Sequence, residues 1–241
     1  MTAGIRGIVF DKDGTLIHFE QSWTPVYVES AEALARRIGR PGMAAAWLQA
    51  TGRDPVSGRV LPGTVLASAT VDVIAARWRD LSPELPELDV LIPWLDEFWE
   101  RRGLELLAPV GDLPVLFDRL RGGGLRLGVA TNDAEKAAHA TVGRLGIAGH
   151  LDFVAGYDSG HGAKPEPGMI LAFCAAMGLA PADVAMVGDS PADLTAGRAA
   201  GCGRVVGVLT GTSPEQVLVP LADVVLADVH ALPALLGTDP A

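Results

Sequence analysis

Asp11-Lys12-Asp13-Gly14-Thr15-Leu16 follows an apolar run, residues 5–10, interrupted only by Arg6 and Gly7. A run this short suits one buried strand. Two carboxylates two positions apart therefore stand where a strand ends and the chain turns. Gly14 suits that turn because it lacks a Cβ and tolerates positive φ. In open α/β folds, ligands bind at the carboxyl ends of parallel strands. Paired aspartates there can bind a hard cation and attack a phosphorus centre. Read alone, the segment is equally an acidic surface turn, and the rest of the chain has to choose.

Beyond residue 108 the sequence alternates strand and helix. Residues 125–130 form an apolar run ending in Thr131-Asn132-Asp133, and helical composition follows over 134–145. Residues 153–156 make a short strand, and 169–177 a helix stopped by Gly178. Residues 184–187 end in Gly188-Asp189-Ser190, before a helix over 191–200 stopped by Gly201. Two more β-branched runs follow at 205–209 and 224–226. Such alternation predicts βαβ units and a Rossmann-like parallel sheet, an α/β fold.

Residues 18–107 break the pattern. Helices are expected over 25–38, 42–50, 65–79 and 89–102, with a Gly- and Pro-rich loop over 52–63. All five tryptophans (Trp23, Trp47, Trp78, Trp94 and Trp99) fall in this part. A βαβ connection is far shorter. The reading is a helical domain at 18–107 inserted into a discontinuous core, 1–17 and 108–241, with some of the tryptophans packing its interior.

The 241 residues carry a formal charge of −10, with no long basic run, so a nucleic-acid polyanion is not expected as partner. An acidic protein that handles phosphate needs a local cation. No apolar stretch reaches the ~18 residues of a membrane span. No signal peptide is expected. Cys174 and Cys202 lack metal-ligand spacing and are expected as free, packed thiols in a reducing compartment, the cytoplasm.

Three polar clusters each follow a predicted strand: Asp11/Asp13, Thr131/Asn132 and Asp189. Parallel strands would bring all three to one edge of the sheet. Lys164, one of only three lysines, lies in a segment stiffened by Pro165 and Pro167 and could neutralise phosphate. Ser190-Pro191-Ala192-Asp193 matches a helix start, with Ser190 as N-cap. A capping role explains Asp193 by itself and also leaves it well oriented. Asp189 precedes the cap and is not explained that way. Asp133 is expected to cap the helix starting at Ala134. The free N–H groups at that helix start favour an anion beside Thr131 and Asn132. The five histidines show no metal spacing; only His161, near Lys164, merits a test.

These motifs, in this order, resemble the haloacid dehalogenase superfamily, in its phosphoglycolate phosphatase-like branch. Asp11-Lys12-Asp13-Gly14-Thr15-Leu16 matches Asp-x-Asp-Gly-Thr-Leu. Val129-Ala130-Thr131-Asn132 matches the second motif, Lys164-Pro165 the third, and Gly188-Asp189-Ser190-Pro191-Ala192-Asp193 the fourth. The resemblance implies that the helical insertion is a cap. It implies Asp11 as nucleophile and Asp13 as general acid, then base. Thr131, Lys164 and the Asn132 backbone would hold phosphoryl oxygens. Magnesium would sit on Asp11, the Asp13 carbonyl, Asp189 and Asp193. Lys12, at an unspecified position, is expected to contribute only its backbone.

The expected function is magnesium-dependent hydrolysis of a small phosphomonoester, a phosphorylated metabolite such as phosphoglycolate. Phosphohexose mutase shares the same core, and metal-independent dehalogenases share the nucleophile. Dehalogenases usually lack the second carboxylate that Asp13 supplies. Phosphonate-cleaving relatives use a cap lysine, and residues 18–107 contain none. A phosphoacceptor signalling domain or an inactive scaffold are the non-enzymatic alternatives. Arg53 and Arg59, in the cap loop, could recognise a substrate carboxylate or simply be solvated.

Overall fold

The computed structural model describes residues 4–237. Its six strands are β1 (Gly7–Phe10), β2 (Arg126–Ala130), β3 (Phe153–Ala155), β4 (Val184–Gly188), β5 (Arg204–Val208) and β6 (Val224–Leu226). All pairings are parallel, in the order β3-β2-β1-β4-β5-β6. The chain builds outward from β1 to β3, then crosses back to place β4 on the other side of β1. That reversal makes the topological switch point where α/β sheets bind ligands. The α/β expectation holds, and the strand positions differ from it by one or two residues.

Side-chain alternation divides the core into two layers. Ile8 and Phe10 point to one face, where Phe10 meets Phe117 with ring centroids 5.1 Å apart. Phe117 belongs to the helix Leu113–Gly122, which the sequence reading did not identify. Asp112 caps it, accepting a hydrogen bond from Val115 N at 3.2 Å. Val9 and Met186 point to the other face, against Met169, Ile170 and Phe173 of the helix Gly168–Met177 and Ala196 of Pro191–Ala200.

Between β1 and the helix Leu113–Gly122 the chain forms five helices: α1 (Phe19–Arg37), α2 (Met43–Thr51), α3 (Val65–Ser68), α4 (Val71–Leu81) and α5 (Leu88–Glu105). The chain leaves β1 and returns to the sheet along one path. Ile17 bridges Pro109, His18 N donates to Ala108 O at 2.8 Å, and Val110 N donates to Leu16 O at 3.0 Å. The helix expected over 65–79 is broken in two. Ala69 and Thr70 are extended, with ψ near 160°, and this break borders the pocket described below. Helix α1 starts at Phe19 rather than Pro25, and Pro25 sits inside it. Trp47 and Trp78 stack at 5.9 Å inside the helical part, and their indole N–H groups donate to Ser82 Oγ and Thr51 Oγ1. A buried indole needs such a partner. Cys174 and Cys202 are free.

Candidate active site

The strand register explains how the motifs meet. Phe10 pairs with Val129 on one side and Val187 on the other. Asp11, Thr131 and Asp189 therefore leave neighbouring strands at the same edge. Asp11 is 5% exposed. Its Oδ1 accepts from Lys164 Nζ at 2.5 Å, while its Oδ2 is buried without a hydrogen-bond partner among the described residues. Such an orphaned oxygen is costly in a folded core unless it has a job.

Lys164 also reaches Asp193 Oδ1 at 2.6 Å, so its ammonium lies between two buried carboxylates. The opposite oxygen of Asp193 completes the capping box at the start of Pro191–Ala200. It accepts from Ser190 N at 3.0 Å and Ser190 Oγ at 2.6 Å. The cap thus aims the remaining oxygen at the site. Asp189 is buried and accepts from Thr212 N at 3.3 Å. Gly14, at φ +93°, passes directly over it. A Cβ there would lie 2.6 Å from Asp189 Cγ, so glycine is required by both conformation and contact.

Asn132 uses its side chain as a brace. Its Nδ2 donates to the carbonyls of Lys164 and Ser68, both at 2.9 Å, and its Oδ1 accepts from Lys164 N at 2.8 Å. It therefore ties the Lys164 loop to the helical part and leaves only its backbone for a ligand. Thr131 Oγ1 lies 3.4 Å from Asp13 Oδ2 and accepts from Asp133 N at 3.1 Å.

Lys12 corrects the sequence reading. It is 1% exposed, and its side chain does far more than fill a turn. Nζ lies 2.5 Å from Asp13 Oδ1 and 3.0 Å from Asp133 Oδ2, above the Trp23 ring at 5.3 Å. Trp23 Nε1 donates to the same Asp13 Oδ1 at 2.6 Å. Asp133 is not the expected N-cap. The helix Glu135–Arg144 starts after Ala134, and Asp158 Oδ1 holds Glu135 N at 2.8 Å. Asp133 turned out to be the second anchor of Lys12. A signal was present: three lysines in the whole chain, one of them between two aspartates. The pairing itself spans 121 positions and has no local signature.

Charge crowding shapes the protonation. Burial first, then Asp193, pushes the Asp11 carboxyl up to about 7 against the pull of Lys164. Burial first, then Asp11 and Asp193, holds the Asp189 carboxyl well above the usual range. Oxygens of Asp11, Asp189 and Asp193 lie within 4.8 Å of one another. Three buried carboxylates, two of them reluctant to ionise, and one orphaned oxygen form a donor set for a hard divalent cation. The residues present therefore fit magnesium. The Asp13 side chain is not in that group; it faces Lys12, Trp23 and Thr131.

The site opens into a pocket of ≈60 Å³. Its other wall comes from the helices: Phe19, Trp23 and Tyr27 of α1, Leu66 of α3, Asp96 and Trp99 of α5, joined by Tyr157. Sequence reasoning found neither Asp96 nor Tyr157, which carry no motif. Arg53 and Arg59 do not line the pocket. Arg59 is 68% exposed on its side chain, 3.7 Å from Glu20, and borders a separate surface groove. His161 is exposed and also stands apart from the pocket.

This fold and site define a class, and comparison with known proteins places the chain in it. The family model for haloacid dehalogenase-like hydrolases matches residues 5–201. The chain therefore belongs to the haloacid dehalogenase-like hydrolases and is an enzyme. It is 28% identical to a phosphoglycolate phosphatase of Shigella boydii, over 97% of this chain and 93% of the relative. It is 28% identical to an N-acetylmuramic acid 6-phosphate phosphatase of Pseudomonas aeruginosa, over 82% and 79%. A HAD phosphatase from Thermococcus onnurineus shares the fold with a TM-score of 0.69, at 21% identity over 98% of this chain and all of that one.

Proposed function

We propose that this chain is a magnesium-dependent phosphatase of small phosphomonoesters that works through an aspartyl-phosphate on Asp11. The carrying observation is Asp11 Oδ2, buried, unpartnered and facing a pocket with Asp189 and Asp193. Relatives named as phosphoglycolate phosphatases make phosphoglycolate the first substrate to try. Residues 18–107 act in this reading as a cap over the core, 1–17 and 108–241. The two free thiols support a cytoplasmic setting.

A carboxylate oxygen of Asp11 attacks phosphorus, and the bond from phosphorus to the ester oxygen breaks. Asp13 gives its proton to the departing alkoxide. Its Oδ2, which has only the 3.4 Å contact with Thr131, is the oxygen free to carry that proton. Asp13 then takes a proton from water, whose oxygen attacks the aspartyl-phosphate. The Asp11–phosphorus bond breaks, releasing phosphate and restoring the carboxylate. Thr131, the Asn132 backbone and Lys164 hold the phosphoryl oxygens, which carry most of the charge in such transfers. Magnesium, held by Asp11, Asp189, Asp193 and the Asp13 carbonyl, would neutralise that charge. Purified protein should hydrolyse an aryl phosphate with magnesium, and Asp11→Asn should abolish it. Undiminished turnover by the variant, or after metal chelation, overturns the mechanism.

A further inference from the structure

The pocket wall has two chemically different parts. One part carries the lysine and carboxylates described above. The other part is aromatic and adjoins the first, since Trp23 Nε1 donates to Asp13 Oδ1 at 2.6 Å, and its rings interlock. Trp23 stacks on Tyr27 at 5.4 Å, and Trp99 stands edge-on to Tyr27 at 5.3 Å and to Trp23 at 6.0 Å. Asp96 and Tyr157 lie in the same wall.

The charge around Asp96 is one-sided. Burial first, then Asp133 and Asp158 and least Asp72, pushes its carboxyl up to about 6, so it is ionised above neutrality. Asp133 has Lys12 as counter-ion. Among the described residues, Asp72, Asp96 and Asp158 pair with no lysine or arginine. Among the described residues, Lys164 is the one basic residue of the pocket wall, and it is already held between Asp11 and Asp193. A carboxylate on the alcohol part of a substrate would meet no cation here and would face Asp96. An ammonium would meet the Asp96 carboxylate beside an aromatic wall whose Trp23 already takes the Lys12 ammonium over its ring at 5.3 Å. A volume of ≈60 Å³ restricts the alcohol to a few atoms.

We propose that this pocket selects small phosphomonoesters whose alcohol carries an ammonium group, over those whose alcohol carries a carboxylate. The proposal rests on the phosphatase reading and deepens it. A matched two-carbon series tests it: phosphoethanolamine, ethyl phosphate and phosphoglycolate, assayed with magnesium by phosphate release. The expected kcat/KM for phosphoethanolamine is about tenfold above ethyl phosphate, the size of one partly shielded ion pair plus cation–π contact. Phosphoglycolate should fall about tenfold below ethyl phosphate. Asp96→Asn should shrink the ratio of phosphoethanolamine to ethyl phosphate several-fold. Phosphoglycolate hydrolysed as well as ethyl phosphate, or a ratio unmoved in Asp96→Asn, overturns the proposal. If neither this series nor an aryl phosphate is hydrolysed, the phosphatase reading fails on its own. Binding then still decides the charge preference. Tryptophan fluorescence should report 2-aminoethylphosphonate binding at least tenfold tighter than phosphonoacetate; the reverse order overturns it.

Discussion

Replacing Lys12 by Met tests the one feature of the site that the sequence reading misjudged. Lys12 Nζ sits 2.5 Å from Asp13 and 3.0 Å from Asp133, at 1% exposure. Methionine keeps the stem and the volume but removes the charge and its donors. Two carboxylates then face each other in a buried space, with Trp23 Nε1 and, at 3.4 Å, Thr131 Oγ1 as the remaining donors to Asp13. Breaking a buried pair by deleting one partner costs about 3–5 kcal/mol. For a chain of this size each kcal/mol moves Tm by roughly 2–4 °C, which gives a fall of about 6–20 °C. The sign with pH follows from Asp133, which burial already raises above its ordinary value. Without Lys12 that rise grows. A carboxyl raised in the fold contributes stability in acid and loses it as pH climbs through the folded value. The deficit of Lys12→Met should therefore be larger at pH 7.5 than at pH 5. Thermal unfolding by circular dichroism, with magnesium present, measures it. Adding Asp133→Asn to the variant should recover at least half of the loss, as a double-mutant cycle reads coupling. A Tm within 2 °C of the parent, or no recovery in the double variant, refutes the reasoning.

Gly14→Ala should destabilise the protein by about 2 kcal/mol or more, since alanine at φ +93° costs roughly 1–2 kcal/mol before its Cβ meets Asp189. Magnesium affinity by calorimetry should fall with it. Ser190→Ala removes the N-cap and should cost about 1 kcal/mol in urea unfolding. It also frees the Asp193 carboxylate to rotate, so magnesium affinity should drop about tenfold. Asp96→Asn should raise stability by on the order of 1–2 kcal/mol above pH 6, discounted for partial exposure. The reason is that the Asp96 carboxyl is raised to about 6, so ionising it penalises the fold only as pH climbs through that value. Below about pH 4 the gain should vanish. A constant gain across pH contradicts that origin.

What the sequence determined by itself was everything set within a few residues along the chain. Strand β4 ends at Gly188, where its apolar run stops, and Ser190 caps the next helix because the chain supplies a hydroxyl, a proline and Asp193 in order. Asp11, Thr131 and Asp189 were readable as one edge because parallel strands of similar length stop together. Helix starts were less legible. Pro25 looked like the first residue of a helix, yet α1 begins at Phe19, because packing of Phe19 and Trp23 outweighs the lost proline N–H. The split of residues 65–79 at Ala69 and Thr70 was hidden for a related reason: nothing in local propensity demands it.

Only the tertiary structure decided who neutralises whom. Whether Lys12 points to water or to Asp133, and whether Trp23 packs a bundle or holds Asp13, depends on which loops meet in space. So does the exclusion of Arg53 and Arg59 from the pocket and the arrival of Asp96 and Tyr157. Coulomb and hydrogen-bond energies act over a few ångströms regardless of separation along the chain, and burial raises their weight. The acidic segment after β1 could announce its chemistry through spacing alone. Its counter-charges and the character of its substrate pocket come from residues brought together by folding.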